Sequence, residues 1–165
     1  MKTVFFIRHA KSSWDNPGLR DIDRPLNERG LRDAPEMAKR LLQTGIKPDR
    51  IISSPAKRAY STALYFAAAF QIPETDIQVE DEIYHAWPDQ IVRLIHQLPE
   101  ELGIVAIFGH NPTFTALANM FSDKEIHNVP TCGIVKVDAN TVHWKEFQRN
   151  TAYVSALYFP KDPVD

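Results

Sequence analysis

Gly103-Ile104-Val105-Ala106-Ile107-Phe108 runs apolar almost without a break and then gives way to Gly109-His110-Asn111-Pro112. A strand wetted on one face alternates polar with apolar residues; one this uniformly apolar suits the centre of a sheet covered by helices on both sides. Thr113-Phe114-Thr115-Ala116-Leu117-Ala118-Asn119-Met120-Phe121 then reads as a helix opened by Pro112, and Gly109 permits close approach of backbone to a ligand. The order strand, polar break, helix puts His110 at a strand's carboxyl end, where open α/β sheets bind their ligands.

The chain begins the same way. Lys2-Thr3-Val4-Phe5-Phe6-Ile7 is aromatic and β-branched, the composition of a buried strand. It ends in Arg8-His9-Ala10-Lys11-Ser12-Ser13-Trp14, cationic and rich in hydroxyls. An imidazole there can attack phosphorus and carry the phosphoryl group covalently, and a guanidinium beside it matches phosphate geometry. A third instance follows Asp49-Arg50-Ile51-Ile52-Ser53, where Ser54 is the expected cap and Pro55 the first position of a helix reaching Phe70. Arg58 then falls about one turn into that helix, near its positive end.

Between these segments the pattern alternates. Asp15 to Pro25 is a polar loop with Asn16-Pro17-Gly18 and the alternating charges Arg20, Asp21, Asp23 and Arg24. Asn27 caps an amphipathic helix over Glu28 to Gln43, in which Pro35 either makes a kink or marks the true first turn. Ile77-Gln78-Val79 reads as a strand and Asp89 to Leu98 as a short helix. Gly133 to Asp138 and Thr141 to Phe147 read as a hairpin turning at Ala139-Asn140. His96 reads as packed or solvated rather than as a ligand, and His127 and His143, with no evident partners, read as structural or exposed. Strands alternating with helices predict an α/β fold, a three-layer α/β/α sandwich around a mostly parallel sheet, formed by residues 1–165 as a single domain.

Composition sets the outer limits. The 165 residues are 44% hydrophobic and 24% charged, a globular balance. A net charge of −2 with no Lys/Arg block leaves no basic footprint for nucleic acid. One cysteine, Cys132, excludes an internal disulfide and fits a reducing compartment. No signal-like segment opens the chain and no stretch approaches a membrane span, so a cytoplasmic protein without membrane partners is expected.

Arg8-His9, Arg58 and His110 thus converge on one sheet edge. Two guanidiniums and a second histidine around a nucleophilic histidine describe a pocket for a dianionic phosphoryl group. No metal ligands stand nearby in the sequence, and neither metal nor cofactor is expected. Such preorganised donors are worth roughly 3–4 kcal/mol each to the transition state. A substrate-free reading also fits the residues: a module that binds a phosphorylated ligand without turning it over.

Arg8-His9-Ala10 with Ser12, Ser53-Ser54-Pro55 with Arg58, and Gly109-His110-Asn111-Pro112 together resemble the signature segments of the histidine phosphatase superfamily, with its phosphoglycerate mutase-like fold. The short chain and its opening segment are most similar to the SixA-type phosphohistidine phosphatases. The resemblance implies His9 as the phosphorylated nucleophile, Arg8, Arg58 and His110 as the clamp, and Ser12, Asp15 and Asn16 as further substrate contacts. It implies a phosphorylated protein or a small phosphorylated molecule as substrate, the alternative being a small-metabolite phosphatase or mutase. Two positions depart from the related mutases. Asp15 stands where they have asparagine, and their glutamate acid is replaced by Glu82-Ile83-Tyr84-His85, leaving Glu82 or His85 as the candidate proton donor. An alkoxide needs such a donor, whereas imidazole, with a conjugate acid near pKa 6.5, roughly, leaves far more readily. A clamp without a firm acid therefore suits phosphoramidates and aryl phosphates.

Overall fold

The computed structural model describes residues 1–165. Strands β1 (Lys2–Arg8), β2 (Arg50–Ser53), β3 (Gln78–Val79), β4 (Ile104–Gly109), β5 (Ile134–Ala139) and β6 (Ala152–Tyr158) form one sheet in the order β3-β2-β4-β1-β5-β6. The first four in that order run parallel, while β5 pairs antiparallel with β1 and β6 antiparallel with β5. Helices α1 (Glu28–Gln43), α2 (Lys57–Phe70), α3 (Pro88–His96) and α4 (Thr113–Met120) cover its two faces.

The side-chain period of a strand explains the layers. Phe5 and Ile7 of β1, with Ala106 and Phe108 of β4, pack against Met37, Leu41 and Phe66 of α1 and α2. Val4 and Phe6, with Val105 and Ile107, face the other way onto Ile91, Ile95, Phe114 and Leu117 of α3 and α4. Each fully buried Phe or Ile contributes about 1.5–3 kcal/mol relative to an exposed one. A polar residue in the middle of either strand would therefore break one layer or the other. The chain leaves β1 for α1 on one face and β4 for α4 on the opposite face. Because β1 and β4 are neighbours, a crevice opens at their carboxyl ends, between Arg8 and its register partner Gly109.

Three local expectations change in the folded chain. The helix over residues 28–43 runs unbroken through Pro35, so that residue marks no first turn. Pro35 and Leu31, whose carbonyl it deprives of a partner, both lie on the exposed face, where water can serve that carbonyl. Helix α2 starts at Lys57 with Ala56 at the cap; Ser54 lies ahead of it and accepts the Ala56 N–H at 3.1 Å, and Arg58 is its second residue. The expected hairpin forms with a different second strand. Residues 141–147 hold a single 3-10 turn at Trp144–Glu146, and β5 pairs instead with Ala152–Tyr158. Trp144 and Phe147 are completely buried, and the indole N–H donates to the carbonyls of Pro99 and Leu102. Anchoring two aromatic rings under α3 outweighs the alternation of 141–147.

Candidate active site

His9 follows the last residue of β1 and is 8% exposed. Its amide donates to the carbonyl of Gly109 at 3.0 Å, which stitches it to the end of β4. Its Nδ1 lies 2.7 Å from the carbonyl of Ala10. A carbonyl only accepts, so Nδ1 carries the proton and Nε2 carries the lone pair. Burial is the main reason its pKa falls well below the ordinary histidine value. The Ala10 bond opposes that shift, and His110, Arg58 and Arg8 reinforce it.

His110, at the end of β4, sits with its ring 5.3 Å from that of His9. Its Nε2 is 2.8 Å from the Ser54 hydroxyl. Burial, then the field of Arg58, takes its pKa down to about 3. Arg8 donates from NH1 to the carbonyl of Val129 at 3.0 Å. Arg58 donates from NH1 to the Asp21 carbonyl at 2.8 Å and from NH2 to the Asp21 carboxylate at 3.0 Å. Across the whole protein only three buried side-chain nitrogens lack a partner: Arg8 Nε, Arg58 Nε and His110 Nδ1. Leaving a buried donor unmet costs roughly 1–3 kcal/mol, and the two arginine Nε–H groups are such donors; His110 Nδ1 is a third if its Nε2 accepts from Ser54. All three side chains line, with His9, a cleft of about 250 Å³.

Ser12 also lines the cleft, and its hydroxyl accepts from Arg24 NH1 at 2.8 Å. Asp15 and Asn16 do not reach it. Both are exposed: the Asp15 amide is turned onto the Ser13 hydroxyl, and the Asn16 side chain accepts from Gly18 in a local turn. Glu82 is exposed and lines neither the cleft nor its surroundings. His85 lines an adjoining groove that shares Arg58, His110 and Asn111 with the cleft. Of the two candidate donors, only His85 is brought near the clamp.

Three participants were not singled out from sequence. Arg24, 7% exposed, lines the cleft with its guanidinium 3.5 Å over the Trp14 ring. Asp21 ties the arginines together, accepting from Arg24 Nε at 3.1 Å, from Arg58, and from the Tyr84 hydroxyl at 2.6 Å. Partial burial would raise its pKa, but the Tyr84 hydroxyl and the two arginines outweigh this and hold it well below the usual carboxylate range. The alternating charges of residues 20–24 were the available signal for Asp21 and Arg24; Tyr84 had none.

The sequence model of the histidine phosphatase superfamily (branch 1) matches residues 4–86. The chain belongs to the histidine phosphatase superfamily. Its fold superposes on SixA from Agrobacterium tumefaciens with a TM-score of 0.81 and 32% identity, covering 96% of this chain and 98% of that one. A protein histidine phosphatase SixA complexed with tungstate shares the fold at a TM-score of 0.78, with 20% identity over 94% of this chain and 95% of that one. A chloroplastic protein of Arabidopsis thaliana is 29% identical over 153 residues, 88% of this chain and 70% of that protein. Phosphoserine phosphatase 1 of Hydrogenobacter thermophilus is 34% identical over 108 residues, 61% of this chain and 49% of that enzyme. This histidine phosphatase is accordingly an enzyme of phosphorylated substrates, on a phosphoglycerate mutase-like fold. No helix in it is long and apolar enough to cross a membrane.

Proposed function

We propose that this enzyme hydrolyses phosphohistidine in a protein, through a phosphorylated His9 and without a metal. The observation that supports the reading is that Arg8, Arg58 and His110, each with an unpartnered buried nitrogen, line one cleft with His9, whose Nε2 carries a lone pair. In the first step Nε2 attacks phosphorus, and the N–P bond to His9 forms as the bond to the leaving imidazole breaks. A phosphohistidine protonated on its other ring nitrogen releases its imidazole directly in neutral form, so this step draws no proton from the protein. Arg8, Arg58 and His110 hold the phosphoryl oxygens, whose charge two guanidiniums offset without a metal. In the second step water attacks phosphorus, releasing inorganic phosphate and restoring neutral His9. Neutrality of His9 before attack follows from its lowered pKa.

The choice of phosphohistidine rests on the leaving group. Of the two candidate donors, His85 lines the groove that shares Arg58 and His110 with the cleft, and Glu82 lines neither. We assign His85 as the proton donor for substrates that need one, and expect nitrogen-linked phosphoryl groups to need it least. A second reading, a small-metabolite phosphomonoesterase, is favoured by the likeness to Phosphoserine phosphatase 1.

The test is to incubate the protein with ³²P-phosphoramidate or a phosphohistidine peptide and quench in base. Label that is stable to base, labile to acid and absent in His9→Ala is the expected result. Wild-type protein that turns over neither substrate, or His9→Ala that keeps its activity, refutes the reading. Faster turnover of phosphoserine than of phosphohistidine favours the second.

A further inference from the structure

Beside the clamp lies a groove of about 600 Å³, more than twice the cleft that holds His9, and the two share Arg58, His110 and Asn111. One wall is a run of rings. Tyr84 meets His110 edge-on at 5.6 Å between centroids, His85 lies 4.0 Å from Tyr84, and Trp87 beyond them is 73% exposed. His85 holds this place with φ at 65°, a left-handed conformation that costs a non-glycine residue energy. Pro88 and Pro112 add further apolar lining.

Beyond the clamp residues Arg58 and His110, the hydroxyl and amide side chains of the groove are already engaged. The Tyr84 hydroxyl donates to Asp21, and that of Thr113 to the carbonyl of Ala86. Asn111 donates to Asn128 and Val129 and accepts from Thr115. No carboxylate and no lysine lines the groove. An amino-acid ammonium would find no counter-charge there, and a polar headgroup would lose its hydration with little in return. A flat apolar ring would instead meet ring faces and release water from Trp87.

We propose that this groove is a specificity site that seats an aromatic ring carried by the substrate next to its phosphoryl group. In a peptide substrate the ring would belong to a residue flanking the phosphorylated one. The inference rests on the clamp reading above, because the groove can serve a substrate only if the adjoining cleft takes the phosphoryl group.

Non-hydrolysable phosphonates separate the two claims. Methylphosphonate reports the clamp alone, benzylphosphonate adds a ring, and 2-amino-3-phosphonopropionate adds an ammonium and a carboxylate. By titration calorimetry, benzylphosphonate should bind at least fivefold tighter than methylphosphonate, and the amino acid phosphonate no tighter than methylphosphonate. Trp87→Ala, which removes an exposed side chain and leaves the core intact, should cut the benzyl-to-methyl ratio to twofold or less. A wild-type ratio below fivefold, or a ratio that Trp87→Ala leaves unchanged, overturns the groove proposal while the clamp stands. Tighter binding of the amino acid phosphonate overturns it in favour of a polar metabolite. Failure of wild type to bind any of the three overturns the clamp reading, and the groove proposal with it.

Discussion

Arg58→Gln is the most informative single change. Arg58 is 7% exposed, both its terminal nitrogens are fixed by Asp21, and its Nε has no partner. It is thus a cation already held in one orientation by Asp21, and a preorganised donor needs no reorganisation when it acts. Removing one such donor costs roughly 3–4 kcal/mol of transition-state stabilisation, or about 10²–10³ in kcat. A Coulomb estimate agrees: two unit charges about 4 Å apart at an effective dielectric of about 20 interact by about 4 kcal/mol. The stability cost is much smaller. Asp21 keeps Arg24 at 3.1 Å and Tyr84 at 2.6 Å, and its side chain is 45% exposed, so the Arg58 pair counts as a largely solvated one. That gives about 1 kcal/mol or less, a fall in Tm of roughly 2–4 °C for a chain of this size. The assay is phosphoramidate hydrolysis beside a thermal melt, with Arg20→Gln as control, since Arg20 adjoins Asp21 in sequence but forms only an exposed pair with Asp23. A loss in kcat below tenfold in a folded Arg58→Gln protein would refute the clamp argument.

Three further outcomes follow from the same geometry. A Cβ on Gly30 would lie 2.2 Å from the Lys11 carbonyl oxygen, so Gly30→Ala must push the first turn of α1 off the segment just after His9. Overpacking of this kind costs about 1–3 kcal/mol, and a Tm within roughly 2 °C of wild type would contradict it. His9 and His110 have folded pKa values below the unfolded value of 6.5, His110 at about 3, so between these values the unfolded chain binds the extra protons. Their contribution is whole above pH 6.5 and is lost as the pH falls, at about 1.4 kcal/mol per pH unit for each. Urea unfolding at pH 7, 6 and 5 should show that decline, with a shallower slope in His110→Asn; equal slopes would argue against it. His85→Gln should slow an alkyl phosphate at least tenfold more than phosphoramidate, and an equal loss on both substrates would remove His85 as the proton donor.

How much of this was readable in the chain depends on how far each signal reaches. Local patterns carried β1, β4, α1 and α4, because a strand buried on both faces must be apolar throughout and an amphipathic helix must repeat its apolar face. They also put Arg8, His9 and His110 at strand ends, and a parallel sheet brings such ends to one edge. What stayed hidden was contact between distant segments. Nothing local tells Asp21 that it will meet Arg58 and Tyr84, which lie 37 and 63 residues away. Nothing local favours residues 152–158 over 141–147 as the partner of β5, since the choice turns on where Trp144 and Phe147 find cover. By itself the sequence determined the candidate residues, Arg8, His9, Arg58 and His110, and the elements that bear them. Only the tertiary structure decided which arginine is held by which carboxylate, that His85 rather than Glu82 faces the clamp, and that Asp15 and Asn16 stay out in water. Those are choices among competing long-range partners, settled by packing and desolvation of the whole chain at once.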